Sequence, residues 1–157
     1  ALEDKETPSI LVLTRQGLKQ ARLENNDDNL SAKGGYVISK ASSDAAVTII
    51  ATGSEVEIAI EAQAELEAMG TATNVVSMPS WEKFDAQSPT YQEDVLGDPQ
   101  VFASIEAGST FGWEKYVGRG GVRIGIDEFG ASAPASDLYN HFGVTKENLV
   151  SQIKAKL

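Results

Sequence analysis

The chain has 157 residues, 41% of them hydrophobic, and its 23 acidic and 13 basic side chains give a formal net charge of -10. That length makes one ordinary domain with room for an appendage, and a domain of such size buries about 68–70% of the surface its unfolded chain exposes. The composition excludes several chemistries. Without cysteine there is no disulfide, thiolate metal site or cysteine nucleophile; with His141 the only histidine there is no paired-histidine metal site; and so acidic a surface repels nucleic acid and anionic lipid.

No apolar run approaches the roughly 20 residues of a membrane-spanning helix. The first residues, Ala1-Leu2-Glu3-Asp4-Lys5-Glu6, are charged and lack a signal-peptide core, so cytoplasmic placement is expected. Ser9-Ile10-Leu11-Val12-Leu13-Thr14 follows Pro8 as a continuous apolar run and reads as a buried strand. From Lys19 to Lys33, through Asn25-Asn26-Asp27-Asp28-Asn29, neither helical nor strand period survives, which predicts a linker closed by Gly34-Gly35. A domain boundary falls there. The first strand then lacks a companion of its own domain, as expected of a segment belonging with something longer. Asn29-Leu30-Ser31 is a formal glycosylation sequon without weight in the absence of a secretory signal.

From Tyr36 onward strands and helices alternate. Tyr36-Val37-Ile38 is a short edge strand and 47–51 a buried one. Ser54 and Glu57 match a capping box, opening a helix that runs to about Met69 with Ala59, Ala62, Leu66 and Met69 on one face and Gly70 as its stop. A strand over 74–77 ends at Met78-Pro79-Ser80, and short helices are expected over 81–84 and 89–96. A strand over 101–105 precedes a helix over 110–117, with Phe111 and Trp113 as core candidates, and then a strand over 122–126. Phe129-Gly130-Ala131-Ser132-Ala133-Pro134, followed by Leu138-Tyr139 and Phe142-Gly143-Val144-Thr145, joins a strand end, a small-residue turn and two helices. Pro134 sits in a first helical turn, Gly143 ends that helix, and Thr145 caps a last one with Leu149, Val150, Ile153 and Leu157 on one face. This alternation predicts an α/β fold of three layers, a mostly parallel, mixed sheet with helices on both faces.

Several residues offer themselves for chemistry. Thr52-Gly53-Ser54-Glu55 joins a strand end to a helix N-terminus, where anions often dock. Glu55, Glu57 and Glu61 already satisfy that helix dipole and would repel phosphate, so turn and cap are the better reading. Gly118-Arg119-Gly120-Gly121 fails the dinucleotide pattern, since Arg123 stands at the third glycine position and a strand follows, which leaves a helix-to-strand turn. His141, near a helix C-terminus, reads as structural. Asp127-Glu128 and Glu106 lie near strand ends, but adjacent carboxylates point to opposite sides, and burial or an interface suits Glu106 better. Arg15 follows the first strand directly. A guanidinium there can grip phosphate with two parallel hydrogen bonds, although composition alone favours a surface salt bridge.

Leu13-Thr14-Arg15-Gln16, Gly34-Gly35-Tyr36-Val37, Ala51-Thr52-Gly53-Ser54-Glu55-Val56, Val76-Ser77-Met78-Pro79-Ser80, Glu106-Ala107-Gly108, Lys115-Tyr116-Val117-Gly118 and the 129–134 block together resemble, in order and spacing, the C-terminal part of transketolases. The resemblance implies a transferase of the pentose phosphate pathway. Such enzymes use thiamine diphosphate and a divalent metal (Mg or Ca) to move a two-carbon ketol unit between sugar phosphates. Of their α/β domains, the first binds the diphosphate and metal, the second the aminopyrimidine, and the last carries little or none of the catalytic machinery. By this likeness residues 1–33 are the end of the pyrimidine-binding middle domain plus linker, and 34–157 the C-terminal domain.

The family's Ser/Thr-Arg-Gln motif carries over to Arg15 as the substrate-phosphate residue. No catalytic, cofactor or metal residue is expected here, and Gly97-Asp98 is followed by Pro99 where a cofactor motif would need glycine. The expected partners are upstream domains of the same polypeptide, a homodimer partner and the sugar-phosphate substrate, with neither nucleic acid nor membrane. The expected role is structural, without activity or bound cofactor in isolation. Two alternatives stand beside it: a regulatory module holding a small anion or nucleotide at the strand ends, and a related thiamine enzyme such as a deoxyxylulose phosphate synthase or a dehydrogenase component, against which the 129–134 block counts.

Overall fold

Runs of β-branched residues bounded by turns place the strands, and Gly, Ser and Thr punctuate the helices between them. The computed structural model describes residues 6–23 and 28–157, so residues 24–27 of the predicted linker lie outside the described part. The strands are β1 (Tyr36–Ser39), β2 (Val47–Ala51), β3 (Thr73–Ser77), β4 (Val101–Ile105) and β5 (Val122–Ile124). The helices are α1 (Glu55–Ala68), α2 (Trp81–Asp85), α3 (Pro89–Leu96), α4 (Glu114–Val117), α5 (Ala135–Phe142) and α6 (Lys146–Lys154). They build one five-stranded sheet in the order β1-β3-β2-β4-β5. β1 runs antiparallel to β3 at one edge, and every other pairing is parallel. The expected mixed sheet is thus observed, with β1 at the edge.

Alternation along β2 divides the core. Val47, Ile49 and Ala51 join Ala59, Ala62 and Leu66 of α1 and Leu149, Val150 and Ile153 of α6 on one face. Ile50 points the other way, to Val76, Met78, Phe84, Val95, Trp113 and Tyr116 beneath α2, α3 and α4. Fully burying an aliphatic side chain of this kind contributes about 1.5–3 kcal/mol. Two buried polar side chains are paired with main-chain carbonyls: Gln63 donates to Thr73 O at 2.7 Å and Lys40 O at 3.2 Å, and Thr48 donates to Leu96 O at 3.0 Å, whereas the buried Ser104 Oγ has no partner among the described residues.

The aromatic side is closed by Gly34-Gly35. A Cβ on Gly34 would lie 2.2 Å from Phe84 N, and one on Gly35 would lie 2.7 Å from the Phe84 ring. Tyr91 adds a 2.8 Å hydrogen bond to Gly35 O. Only glycine lets this chain segment approach α2 so closely.

Some expectations are corrected. Residues 9–14 form no strand, and Ile10, Leu11, Val12 and Leu13 are 75–90% exposed, because no described strand offers them a ladder partner. The linker stretch is not wholly irregular: Leu30–Lys33 forms a 3-10 turn, and Ala21 packs against the core. Ser54 makes no side-chain cap bond to α1, since its hydroxyl is taken by the neighbouring Glu55 carboxylate. Met69 and Leu157 are exposed where their helices run out of sheet to cover. The segment before α4 is a turn rather than helix, which turns Trp113 inward and leaves Phe111 87% exposed. The last strand stops at Ile124. Pro134 is the N-cap of α5, one residue outside the predicted turn.

Candidate functional site

The chain passes from β3 on one side of β2 to β4 on the other, so the sheet's switch point lies between β2 and β4. Crevices at such points, outside the carboxyl ends of the strands, are the usual ligand sites of open α/β sheets. Here Ala51 pairs with Ile105 in register, which brings the next residues, Thr52 and Glu106, together. Thr52 Oγ1 donates to Glu106 Oε1 at 2.9 Å, and the indole Nε1 of the buried Trp113 donates to Glu106 Oε2 at 2.9 Å. Both Glu106 oxygens are satisfied within the fold.

Glu55, the first residue of α1, is 4% exposed. Its carboxylate accepts from Ser54 Oγ at 2.7 Å, from Tyr139 Oη at 2.6 Å and from Ala107 N at 3.1 Å. Negative charge at a helix N-terminus is also favoured by the helix dipole. Burial and, next, the hydrogen bond to Glu55 push the Tyr139 hydroxyl above its ordinary pKa, so it remains a donor. The switch-point crevice therefore holds two carboxylates, each of whose oxygens accepts from a protein donor. Their charge adds to the acidic character of the Gly53-Ser54 turn.

The other sequence candidates separate. Asp127 accepts from Thr110 Oγ1 at 2.6 Å, Thr110 N at 2.8 Å and Ser109 Oγ at 3.1 Å. The Thr110 hydroxyl above all holds its carboxyl below the usual range. Its neighbour Glu128 is exposed and shares none of these bonds. Thr110, Phe111, Glu114, Arg119, Arg123 and Asp127 line an open cleft of about 480 Å³ that carries two acidic and two basic side chains. Gly118 to Gly121 is the expected helix-to-strand turn. His141 sits in the last turn of α5, edge-on to Phe142 at 4.8 Å. Among the described residues, no three of His, Cys, Asp and Glu form a set able to hold a metal ion.

Arg15 is exposed on the irregular segment 6–23 and pairs with no described residue; the surface salt bridge that composition favours is absent among them. The segment is fastened to the domain just after it, at Gln16 and Lys19. Gln16 N donates to Thr14 Oγ1 at 3.2 Å, and Gln16 Nε2 donates to Tyr139 Oη at 3.1 Å. Lys19 lies 3.2 Å from both Glu57 and Glu61 on α1, and these carboxylates, Glu61 first, raise its pKa. Sequence reading missed the Gln16–Tyr139–Glu55 connection. Its members are 123 and 84 residues apart, and no local pattern links them.

Residues 34–145 match the family model described as the transketolase-like TK C-terminal domain. The transketolase of Sinorhizobium medicae is 48% identical over 153 residues, spanning 97% of this chain and 22% of that protein. Among solved structures, transketolase from Leishmania mexicana superposes with a TM-score of 0.72 at 40% identity, covering 80% of this chain and 18% of that one. The H261F transketolase mutant from Pichia stipitis gives 0.77 at 35% identity, covering 90% and 20%. The chain thus spans 18–22% of the length of these relatives, and it belongs to the transketolase family as the C-terminal portion of that sequence.

Proposed function

We propose that this chain works as the C-terminal domain of a thiamine-diphosphate-dependent transketolase, a cytoplasmic, homodimeric transferase that moves a two-carbon ketol unit between sugar phosphates in the pentose phosphate pathway. Residues 34–157 are the domain itself, and residues 1–33 are the end of the pyrimidine-binding domain and the linker. Identity of 48% over 97% of the chain carries this reading. The exposed apolar run Ile10 to Leu13 supports the boundary, since four such residues in a row suit a strand completed by a sheet beyond these residues.

The residues present do not fit the cofactor. The donors at the strand ends, Thr52 Oγ1 and Ala107 N among them, are committed to the Glu106 and Glu55 carboxylates, and no metal-ligand set occurs among the described residues. On this reading thiamine diphosphate and its metal belong to upstream domains, and this chain has a structural and assembly role without activity in isolation.

Arg15 is its one contribution to substrate binding. Exposed and free of acidic partners among the described residues, it is available to a phosphate dianion. A charge-assisted, two-pronged contact contributes about 1.5–3 kcal/mol, or about 10–100-fold in affinity. In the full-length enzyme, Arg15→Ala raises KM for a phosphorykated ketose by that factor relative to an unphosphorylated one. An equal effect on both substrates removes the phosphate role, and ketol transfer by residues 1–157 alone removes the structural one.

A further inference from the structure

A guanidinium selects a phosphate only if the backbone that bears it is held still. Arg15 lies on a segment without helix or strand, so no ladder of backbone hydrogen bonds holds it. The exposed Lys19 ion pairs contribute little, because solvent screens them and two long side chains must be ordered. The local turn from Gln16 N to Thr14 Oγ1 shapes the backbone without fastening it to anything.

The contact through Gln16 differs in kind. Gln16 Nε2 donates to Tyr139 Oη at 3.1 Å, Tyr139 Oη donates to Glu55 Oε1 at 2.6 Å, and Glu55 is itself fixed by Ser54 Oγ and Ala107 N. Tyr139 packs against the main core cluster. Each bond in such a chain polarises the next, and the chain ends on a buried carboxylate at the start of α1. The residue adjacent to Arg15 is thereby tied to the sheet's interior.

We infer that Tyr139 and Gln16 form a latch that positions Arg15, so that the C-terminal domain sets affinity for the substrate phosphate without touching the substrate. The inference rests on the proposed phosphate role of Arg15. Tyr139 is a positioning residue: it acts through Gln16, and its hydroxyl links the residue next to Arg15 to the buried Glu55 carboxylate.

The test uses the full-length enzyme with Gln16→Leu, Tyr139→Phe and Arg15→Ala, alone and in pairs. The readouts are KM and kcat for a phosphorylated and an unphosphorylated ketose, and the inhibition constant for inorganic phosphate. Loss of one hydrogen bond from a positioning chain predicts that Gln16→Leu and Tyr139→Phe each raise KM for the phosphorylated ketose about three- to tenfold relative to the unphosphorylated one, with little change in kcat. The inhibition constant for phosphate rises alike. The Gln16→Leu/Tyr139→Phe pair is no worse than the larger single effect, and Gln16→Leu adds nothing once Arg15 is alanine.

Should Arg15→Ala be selective while Gln16→Leu and Tyr139→Phe are not, the latch is overturned and the phosphate role stands. Should Arg15→Ala affect both substrates equally, the phosphate role fails and the latch falls with it. Equal KM changes on both substrates in the latch variants, or full additivity with Arg15→Ala, mark a merely structural contact and also overturn it. If Tyr139→Phe fails to fold, Gln16→Leu carries the test, because it leaves every hydrogen bond to Glu55 in place.

Discussion

The Trp113 indole donates to the Glu106 carboxylate at 2.9 Å, joining the turn before α4 to the end of β4 and, through Thr52, to the end of β2. Trp113 is 1% exposed and Glu106 half-buried, so the indole N–H is sheltered from water and depends on this bond. Trp113→Phe leaves a Glu106 oxygen short of a donor and opens space beside Trp81, whose ring lies 4.8 Å from that of Trp113. The expected loss is about 2–4 kcal/mol from the orphaned acceptor and the cavity together. Urea denaturation measures it; a loss under about 0.5 kcal/mol, the range of a surface change, contradicts the assignment. Phe111→Ser, two positions away but exposed, falls within that surface range.

Gly34 and Gly35 at the domain's entry and Gly70 after α1 divide by cause. Gly34 combines φ +83° with a Cβ position 2.2 Å from Phe84 N, whereas Gly70 has φ +85° and open space around it. Gly70→Ala therefore costs only the left-handed backbone conformation, about 1–2 kcal/mol. Gly34→Ala adds overpacking against main-chain atoms, a further 1–3 kcal/mol or so. Gly35→Ala meets a ring that can shift and falls between them. Chemical denaturation of the three variants gives the order Gly34 > Gly35 > Gly70 in destabilisation, and equal losses contradict it.

Asp127 makes stability depend on pH on the acid side. The Thr110 hydroxyl and N–H hold its folded pKa below the unfolded value, so the folded state binds fewer protons in the window between them. Its contribution is complete above the unfolded value of about 3.9 and is lost as pH falls through the folded one. Glu67, lowered chiefly by the Ser42 hydroxyl and then by Thr73 N–H, behaves in the same way. Thermal melts from pH 6 to pH 3 should show Asp127→Asn less stable than the native chain at the upper end, with the gap closing as pH falls. A gap that stays constant across the range removes the carboxylate's charge as its source.

Most elements were legible in the chain itself, because their causes are local. Val47 to Ala51 is a β-branched run too short for a helix, Ser88 and Thr145 cap α3 and α6 through their own hydroxyls, and Gly70 and Gly143 stop helices where a left-handed residue is needed. The likeness carried by the short motifs was legible too, and with it the family. What tertiary structure decided are the features whose partners are distant. Residues 9–14 have the composition of a buried strand, yet a strand exists only beside another, and none is at hand among the described residues. Phe111 and Trp113 are equally apolar in composition, but only one faces the sheet once the turn before α4 sets their directions. Ser54 had the right spacing for a capping box and instead serves Glu55, because burial of that carboxylate demands every donor within reach. The tie from Gln16 to Tyr139 spans 123 residues, and no periodicity reports a contact that only chain folding creates.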